Sequence, residues 1–318
     1  MDIDTNLITK FMCDCTLCPR QCHADRLHGD MGYCDQSAEI TAARASLHFW
    51  EEPCLSGASG SGTVFFSGCN LKCVFCQNYN IAHKNIGQKI SVERLSEIFL
   101  ELQLKGANNI NLVTGAHFIP QIREALLLSK QKGLSVPIVY NSSGYEEVKS
   151  LRLLDKLVDI YLPDLKYFSP ELGKKYSNAP DYFAKASLAI EEMFRQVGPP
   201  VFFNNSAENI FDYNDNMLLK RGVIVRHLIL PGETGDSKKI LRYLYKTYKN
   251  DIYVSIMNQY TPLPHVSEIP ELNRKVTDEE YKRVIAFAEK IGIENGFIQD
   301  GDTAAESFIP EFDGSGIN

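Results

Sequence analysis

The chain has 318 residues, 44% hydrophobic and 23% charged, with a formal net charge of -7 and a pI near 5.6. That length suits one large domain with a smaller appendage or two modest domains, and the near-average composition excludes disorder on a large scale. The acidic balance offers no overall basic field for nucleic acid or an anionic membrane, and no stretch approaches the roughly 18 apolar residues of a membrane helix.

The start, Met1-Asp2-Ile3-Asp4, is acidic and unlike a secretory signal, so the nine cysteines read as metal ligands in a reducing cytoplasm rather than as a disulfide framework. The first cluster is Cys15-Thr16-Leu17-Cys18-Pro19-Arg20-Gln21-Cys22, completed by Cys34. Short segments with Cys-x2-Cys spacing fold around zinc, and an iron or iron-sulfur centre fits the same four thiolates. Cys13 is spare. Glu51-Glu52-Pro53-Cys54 and Ser59-Gly60-Ser61-Gly62 then read as a flexible link or as a cover over the next unit, with Cys54 a buried or incidental thiol.

From Thr63 onward, short apolar runs alternate with helical patterns, the rhythm of βα units around a parallel sheet. The predicted strands are 63–66, 109–113, 138–141, 159–162, 223–230 and 252–256. Helices are predicted over 92–100 with Ser91 as cap, 121–132 stopped by Gly133, 146–158, 182–196, 237–248 and 278–290. Residues 314–318 are expected to fray. Parallel returns need crossovers, so the fold class is α/β and a β/α barrel or partial barrel is the economical arrangement.

The loop after the first predicted strand reads Gly68-Cys69-Asn70-Leu71-Lys72-Cys73-Val74-Phe75-Cys76. Three thiolates can ligate three irons of a cubane [4Fe-4S] cluster, leaving the fourth iron open to an exogenous ligand. Loops at the C-terminal ends of barrel strands are where such chemistry collects. Cys69, Cys73 and Cys76, with aromatic Phe75 before the third cysteine, resemble the signature of the radical S-adenosylmethionine (SAM) enzymes. The flanks Phe65-Phe66-Ser67-Gly68 and Gln77-Asn78-Tyr79 are similar to those of pyruvate formate-lyase activating enzymes. The N-terminal cysteine segment departs from the best-studied of them.

That resemblance implies a partial (β/α)6 TIM-like barrel from about Thr63 to Gln299, preceded by a small cysteine-rich metal-binding segment. The expected divisions are 1–58 for module and linker, 59–300 for the barrel and 301–318 for a tail. It also implies cofactor contacts, with Phe75 beside the cluster and Thr114-Gly115-Ala116-His117 where relatives carry Gly-Gly-Glu-Pro. Asn141-Ser142-Ser143 resembles the short polar segment near the ribose or carboxylate of SAM. Asp164-Leu165-Lys166 resembles the segment whose lysine approaches the cofactor carboxylate. Arg226 lies on the arginine-bearing strand and needs a partner there. Asn258 lies where relatives place a polar residue beside SAM.

The activity so implied is reductive cleavage of SAM to a 5'-deoxyadenosyl radical, followed by hydrogen abstraction from a substrate. The partners implied are a low-potential reductant such as flavodoxin or ferredoxin and a glycyl radical enzyme polypeptide. Modification of a small metabolite or peptide is the alternative reaction, because this fold hosts many chemistries. A non-catalytic iron-sulfur electron carrier is the alternative of another class, and it has no use for Lys166 or Arg226 at a barrel mouth.

Overall fold

The computed structural model describes residues 3–203, 217–299 and 310–318. The expected boundary between barrel and tail at 300–301 lies outside the described residues. Among those described, ten strands form one sheet. They are β1 (Ile40–His48), β2 (Ser61–Phe66), β3 (Gln88–Ile90), β4 (Ile110–Val113), β5 (Ile138–Ser142), β6 (Ile160–Pro163), β7 (Val201–Phe202), β8 (Leu219–Leu228), β9 (Tyr253–Met257) and β10 (Gly296–Ile298). Their order is β10-β9-β8-β6-β5-β4-β2-β1-β3, with β7 paired to β8.

The run from β2 through β4, β5, β6, β8 and β9 to β10 is parallel throughout and contains every strand predicted from the sequence. Strands β2, β4, β5 and β6 are buried along their whole length, as sheets covered on both faces require. Laid flat, the loops after β2 and β9 would stand about 24 Å apart, five spacings of ~4.8 Å. Instead Gln77 Nε2 donates to the Gln259 carbonyl at 3.0 Å. The Phe75 ring also meets those of Tyr167, Tyr176 and Tyr260 at 6.3, 6.2 and 6.1 Å between centroids. The parallel run is therefore curled into a partial barrel.

Helices Val92–Leu104, Ile119–Gln131, Tyr182–Val197, Thr234–Tyr248 and Asp278–Ile291 occupy the predicted crossover positions. Ser91 Oγ accepts the Arg94 N–H at 3.1 Å, and Thr277 with Glu280 forms a reciprocal cap on the last helix. The helix predicted over 146–158 is replaced by a short turn of helix, Val148–Leu151, and a 3-10 turn, Arg152–Leu154, with Lys156 at φ +65°. Apolar residues three apart suit either kind of turn, so periodicity did not separate them.

Two other expectations are corrected. Residues 314–318 do not fray: the Gly314 N–H donates to Ala43 O at 3.0 Å, the Ala45 N–H donates to Ser315 O at 2.8 Å, and Ile317 is buried. This segment occupies the part of the β1 edge that β3 leaves unpaired. The stretch read as link or cover is neither. Helix Pro53–Ser56 inserts at the N-terminal ends of the strands, where Asn109 Nδ2 donates to Leu55 O at 2.8 Å. Cys54 and Leu55 pack on Val139, Ile160, Leu162 and Ile224 and so plug the barrel from the end opposite the cysteine loop.

Candidate functional site

The loop after β2 begins at Gly68, whose φ of +83° favours glycine and whose Cβ would stand 2.6 Å from the Cys34 carbonyl. The loop then turns so that Cys69, Cys73 and Cys76 line one cavity of ≈ 370 Å³. The Leu71 and Lys72 N–H groups donate to Cys69 Sγ at 3.3 and 3.5 Å, and Ser177 Oγ donates to Cys73 Sγ at 3.1 Å. Burial pushes the Cys69 and Cys76 thiols up, and ligation by a metal removes such protons outright. No three Cys, His, Asp or Glu side chains among the described residues converge on a single-ion site. A cube asks for something else. It places each thiolate on a different iron, so its donors surround a volume rather than a point, and three sulfurs on one cavity wall without a fourth lining cysteine fit that demand.

The cavity continues from the sulfurs along the C-terminal ends of the strands. Thr114, Asn141, Ser142, Ser143, Asp164 and Lys166 all line it. Thr114 has φ +61°, an uncommon conformation for a β-branched residue and one that accumulates at functional sites. Lys166 Nζ donates to Asp164 Oδ2 at 2.6 Å. Burial opposes the Lys166 ammonium, but Asp164 and the facing Cys73 and Cys76 hold its pKa above the ordinary lysine value. Tyr182 fixes the two loops to each other: its hydroxyl donates to Ser143 O at 2.8 Å and accepts the Lys166 N–H at 3.0 Å. Gly144 is needed at that junction because a Cβ there would collide with Asp164 O.

Arg226 lines the same cavity, and its partners come from the plug. Its Nε donates to Glu52 Oε1 at 2.8 Å and its Nη2 to Glu52 Oε2 at 2.7 Å, while Nη2 also pairs with Glu51. Glu51 in turn accepts from Asn111 Nδ2 at 2.9 Å. The cavity floor is therefore an ion triad shared between β8 and the segment after β1.

Three residues singled out from the sequence stand apart from the cavity. His117 is 1% exposed and absent from the lining, with Nε2–H donating to the Ser67 carbonyl at 2.7 Å. Burial, helped by Arg26, depresses its pKa to about 3. Gly115 faces Ile122 and Phe66 instead of the cavity. Asn258 is likewise absent from the lining, and its neighbour Gln259 lines the wall. Sequence reasoning also missed His48 and Trp50, from the end of β1 and the segment after it, and Gln299 and Pro310, from the C-terminal segments. No local pattern tied Glu51 and Glu52 to Arg226, which stands 174 positions beyond Glu52.

The N-terminal cysteines form a separate group packed against the Cys69–Cys76 loop. Cys15, Cys18 and Cys34 are buried and Cys22 is exposed. Burial pushes the Cys34 thiol up to about 11, against the pull of Arg26. All nine cysteines are free. No helix among the described residues is long and apolar enough to cross a membrane.

The family model of the radical SAM superfamily matches residues 63–244. An uncharacterized protein of Methanocaldococcus jannaschii is 27% identical over 305 residues, covering 92% of this chain and 80% of its own. A domain of a pyruvate-formate lyase-activating enzyme from Bacteroides vulgatus is a more distant likeness, at TM-score 0.39 and 10% identity over 57% of this chain and 91% of that one. The FeFe-hydrogenase maturase HydG from Carboxydothermus hydrogenoformans gives TM-score 0.49 and 15% identity over 78% of this chain and 55% of that one. With more than half of its residues inside the family model, the chain belongs to the radical SAM superfamily, which implies a [4Fe-4S] cluster and SAM.

Proposed function

We propose that this protein is a radical SAM enzyme whose Cys69, Cys73 and Cys76 hold the cluster and whose Asp164 and Lys166 orient SAM at its open corner. The observation that carries this reading is the single cavity shared by those three sulfurs and the Lys166–Asp164 pair. When bound and reduced, the cluster supplies the electron that opens a sulfonium carbon–sulfur bond of SAM to give methionine and a 5'-deoxyadenosyl radical. The chain's own part is binding and orientation. Lys166 offsets the cofactor carboxylate, while Asn141, Ser142, Ser143 and the Thr114 backbone offer polar contacts along the wall. Phe75, ringed by three tyrosines, keeps the cluster side dry, and the Arg226 triad closes the floor. An electron carrier has no need of such a wall.

We assign the hydrogen donor to a glycine held in a partner polypeptide, with flavodoxin or ferredoxin as reductant in a reducing cytoplasm. The support is the sequence around the cysteine loop, together with Trp50, which lines the cavity while 66% exposed and so marks its opening to the surface. Cys15, Cys18, Cys22 and Cys34 are assigned to a second metal, zinc or iron. The experiment is isotope transfer: a partner polypeptide labelled with deuterated glycine is incubated with the reduced, cluster-loaded enzyme and SAM. Deuterium in 5'-deoxyadenosine is expected. Product without label from that partner, but with label from a small metabolite or peptide, overturns the glycine assignment and leaves SAM cleavage standing.

A further inference from the structure

Arg26 is 1% exposed, and its guanidinium meets no carboxylate among the described residues. It donates to Gln36 O at 3.0 Å, Ser37 O at 2.7 Å and His117 O at 2.7 Å, and its remaining close partner is Cys15 Sγ at 3.7 Å. The Phe118 ring lies 5.4 Å away. Carbonyl oxygens satisfy the donors without supplying a negative charge, and a buried cation needs one. Four protonated thiols do not provide it. Four thiolates around an iron-sulfur core, whose donors surround a volume rather than a point, carry a net negative charge and do. Gly32 leaves the room: a Cβ there would stand 2.9 Å from Cys22 Sγ and 3.7 Å from Cys34 Sγ, so its absence opens a cradle between two of the four sulfurs.

The same segment grips the cluster loop. Arg20, two residues after Cys18, donates to Asn70 O at 2.8 Å and Leu71 O at 3.5 Å inside that loop. It also donates to Ser177 O at 2.8 Å and Asn178 O at 2.5 Å at the end of the helix that presents Ser177 to Cys73. Asp35, beside Cys34, pairs with Lys72. The Cys34 carbonyl is the atom against which Gly68 is pressed. Arg26 reaches the loop from the other side, through the His117 carbonyl and the His117–Ser67 hydrogen bond. Each ligand-bearing turn of the module thus touches residues 67–72.

We propose that Cys15, Cys18, Cys22 and Cys34 hold an anionic metal–thiolate centre with Arg26 as its counter-ion, and that this centre positions the catalytic cluster loop through Arg20. The inference rests on the reading of Cys69, Cys73 and Cys76 as the catalytic ligands and goes beyond it by giving the module a charge state and a task. Arg20 and Arg26 are positioning residues.

The test uses the full chain, purified without oxygen, with metal content and cluster potential as readouts. Cys73→Ala is expected to lose the catalytic iron and retain the metal of the module, whereas Cys18→Ser with Cys22→Ser is expected to show the reverse. Arg26→Met is expected to shorten metal retention against a chelator at least tenfold. Arg20→Lys is expected to keep both metal centres and shift the midpoint potential of the catalytic cluster. A metal-free Cys73→Ala protein, or retention unchanged in Arg26→Met, overturns the centre. An unchanged potential in Arg20→Lys overturns its task. Failure of the catalytic reading itself would appear differently, as wild-type protein whose iron is indifferent to Cys73→Ala.

Discussion

Ser177 and Cys73 lie 104 positions apart in the chain, yet Ser177 Oγ donates to Cys73 Sγ at 3.1 Å. A donor on a ligating sulfur stabilises the more negative, reduced cluster and so raises its potential. Ser177→Ala is therefore expected to move the midpoint potential to more negative values with iron content unchanged. A redox titration followed by electron paramagnetic resonance reads the shift, and an unmoved midpoint would remove Ser177 from the account.

Lys166 and Asp164 form one hydrogen-bonded ion pair on the cavity wall, proposed above to orient SAM. Hydrogen bonds to charged groups contribute about 1.5–3 kcal/mol, which corresponds to a loss of roughly 10–100-fold in SAM affinity for Lys166→Met. Titration of SAM into the cluster-loaded protein measures it. Wild-type affinity in that variant would place the cofactor carboxylate elsewhere.

Arg226 holds two buried carboxylates, Glu51 and Glu52, from a segment 174 positions away in sequence. Removing one side of a buried pair costs about 3–5 kcal/mol, because the remaining charges are left uncompensated. Arg226→Met should thus lower the denaturation midpoint markedly. The triple variant that adds Glu51→Gln and Glu52→Gln should recover much of the loss. Equal stabilities of the single and triple variants in a denaturant titration would contradict the ion triad.

These contacts mark where the sequence was readable. The parallel strands were legible because strands covered on both faces are continuous apolar runs, and the cysteine loop because its spacing is tied to one chemistry. Strand β1 was missed: Ile40–His48 contains three alanines, a composition that favours helix, and only pairing with β2 and β3 makes it extended. The need of Arg226 for a partner was legible, but not that Glu51 and Glu52 would supply it from the barrel's opposite end. His117 was drawn to the cavity by position alone. Its burial behind the cluster loop depends on Arg26 and Ser67, which no local pattern connects to it.

Glu146 is 1% exposed, and neither carboxyl oxygen closes a hydrogen bond among the described residues. Burial raises its pKa to about 8 from an ordinary 4.5. Among the described residues, Tyr140, Tyr161, Tyr182 and Cys18 are titratable groups that feel its charge, and none of these four is a cation. The folded chain keeps a proton that the unfolded chain releases above about pH 4.5, so stability falls as pH rises from there to about 8 and then levels. At ~1.4 kcal/mol per unit the full effect is of order 4–5 kcal/mol. Glu146→Gln should flatten the dependence of the melting temperature on pH between 5.5 and 8.5. An equally steep wild-type and variant profile would assign the slope to other groups.

The most direct measurement is the formation of 5'-deoxyadenosine by protein reconstituted with iron and sulfide in the absence of oxygen, then given dithionite and SAM. The wild-type chain is predicted to form it, and Cys73→Ala, one cluster ligand short, to form none. Cluster-loaded wild-type protein that yields no 5'-deoxyadenosine, or Cys73→Ala protein that yields as much as wild type, would contradict the account.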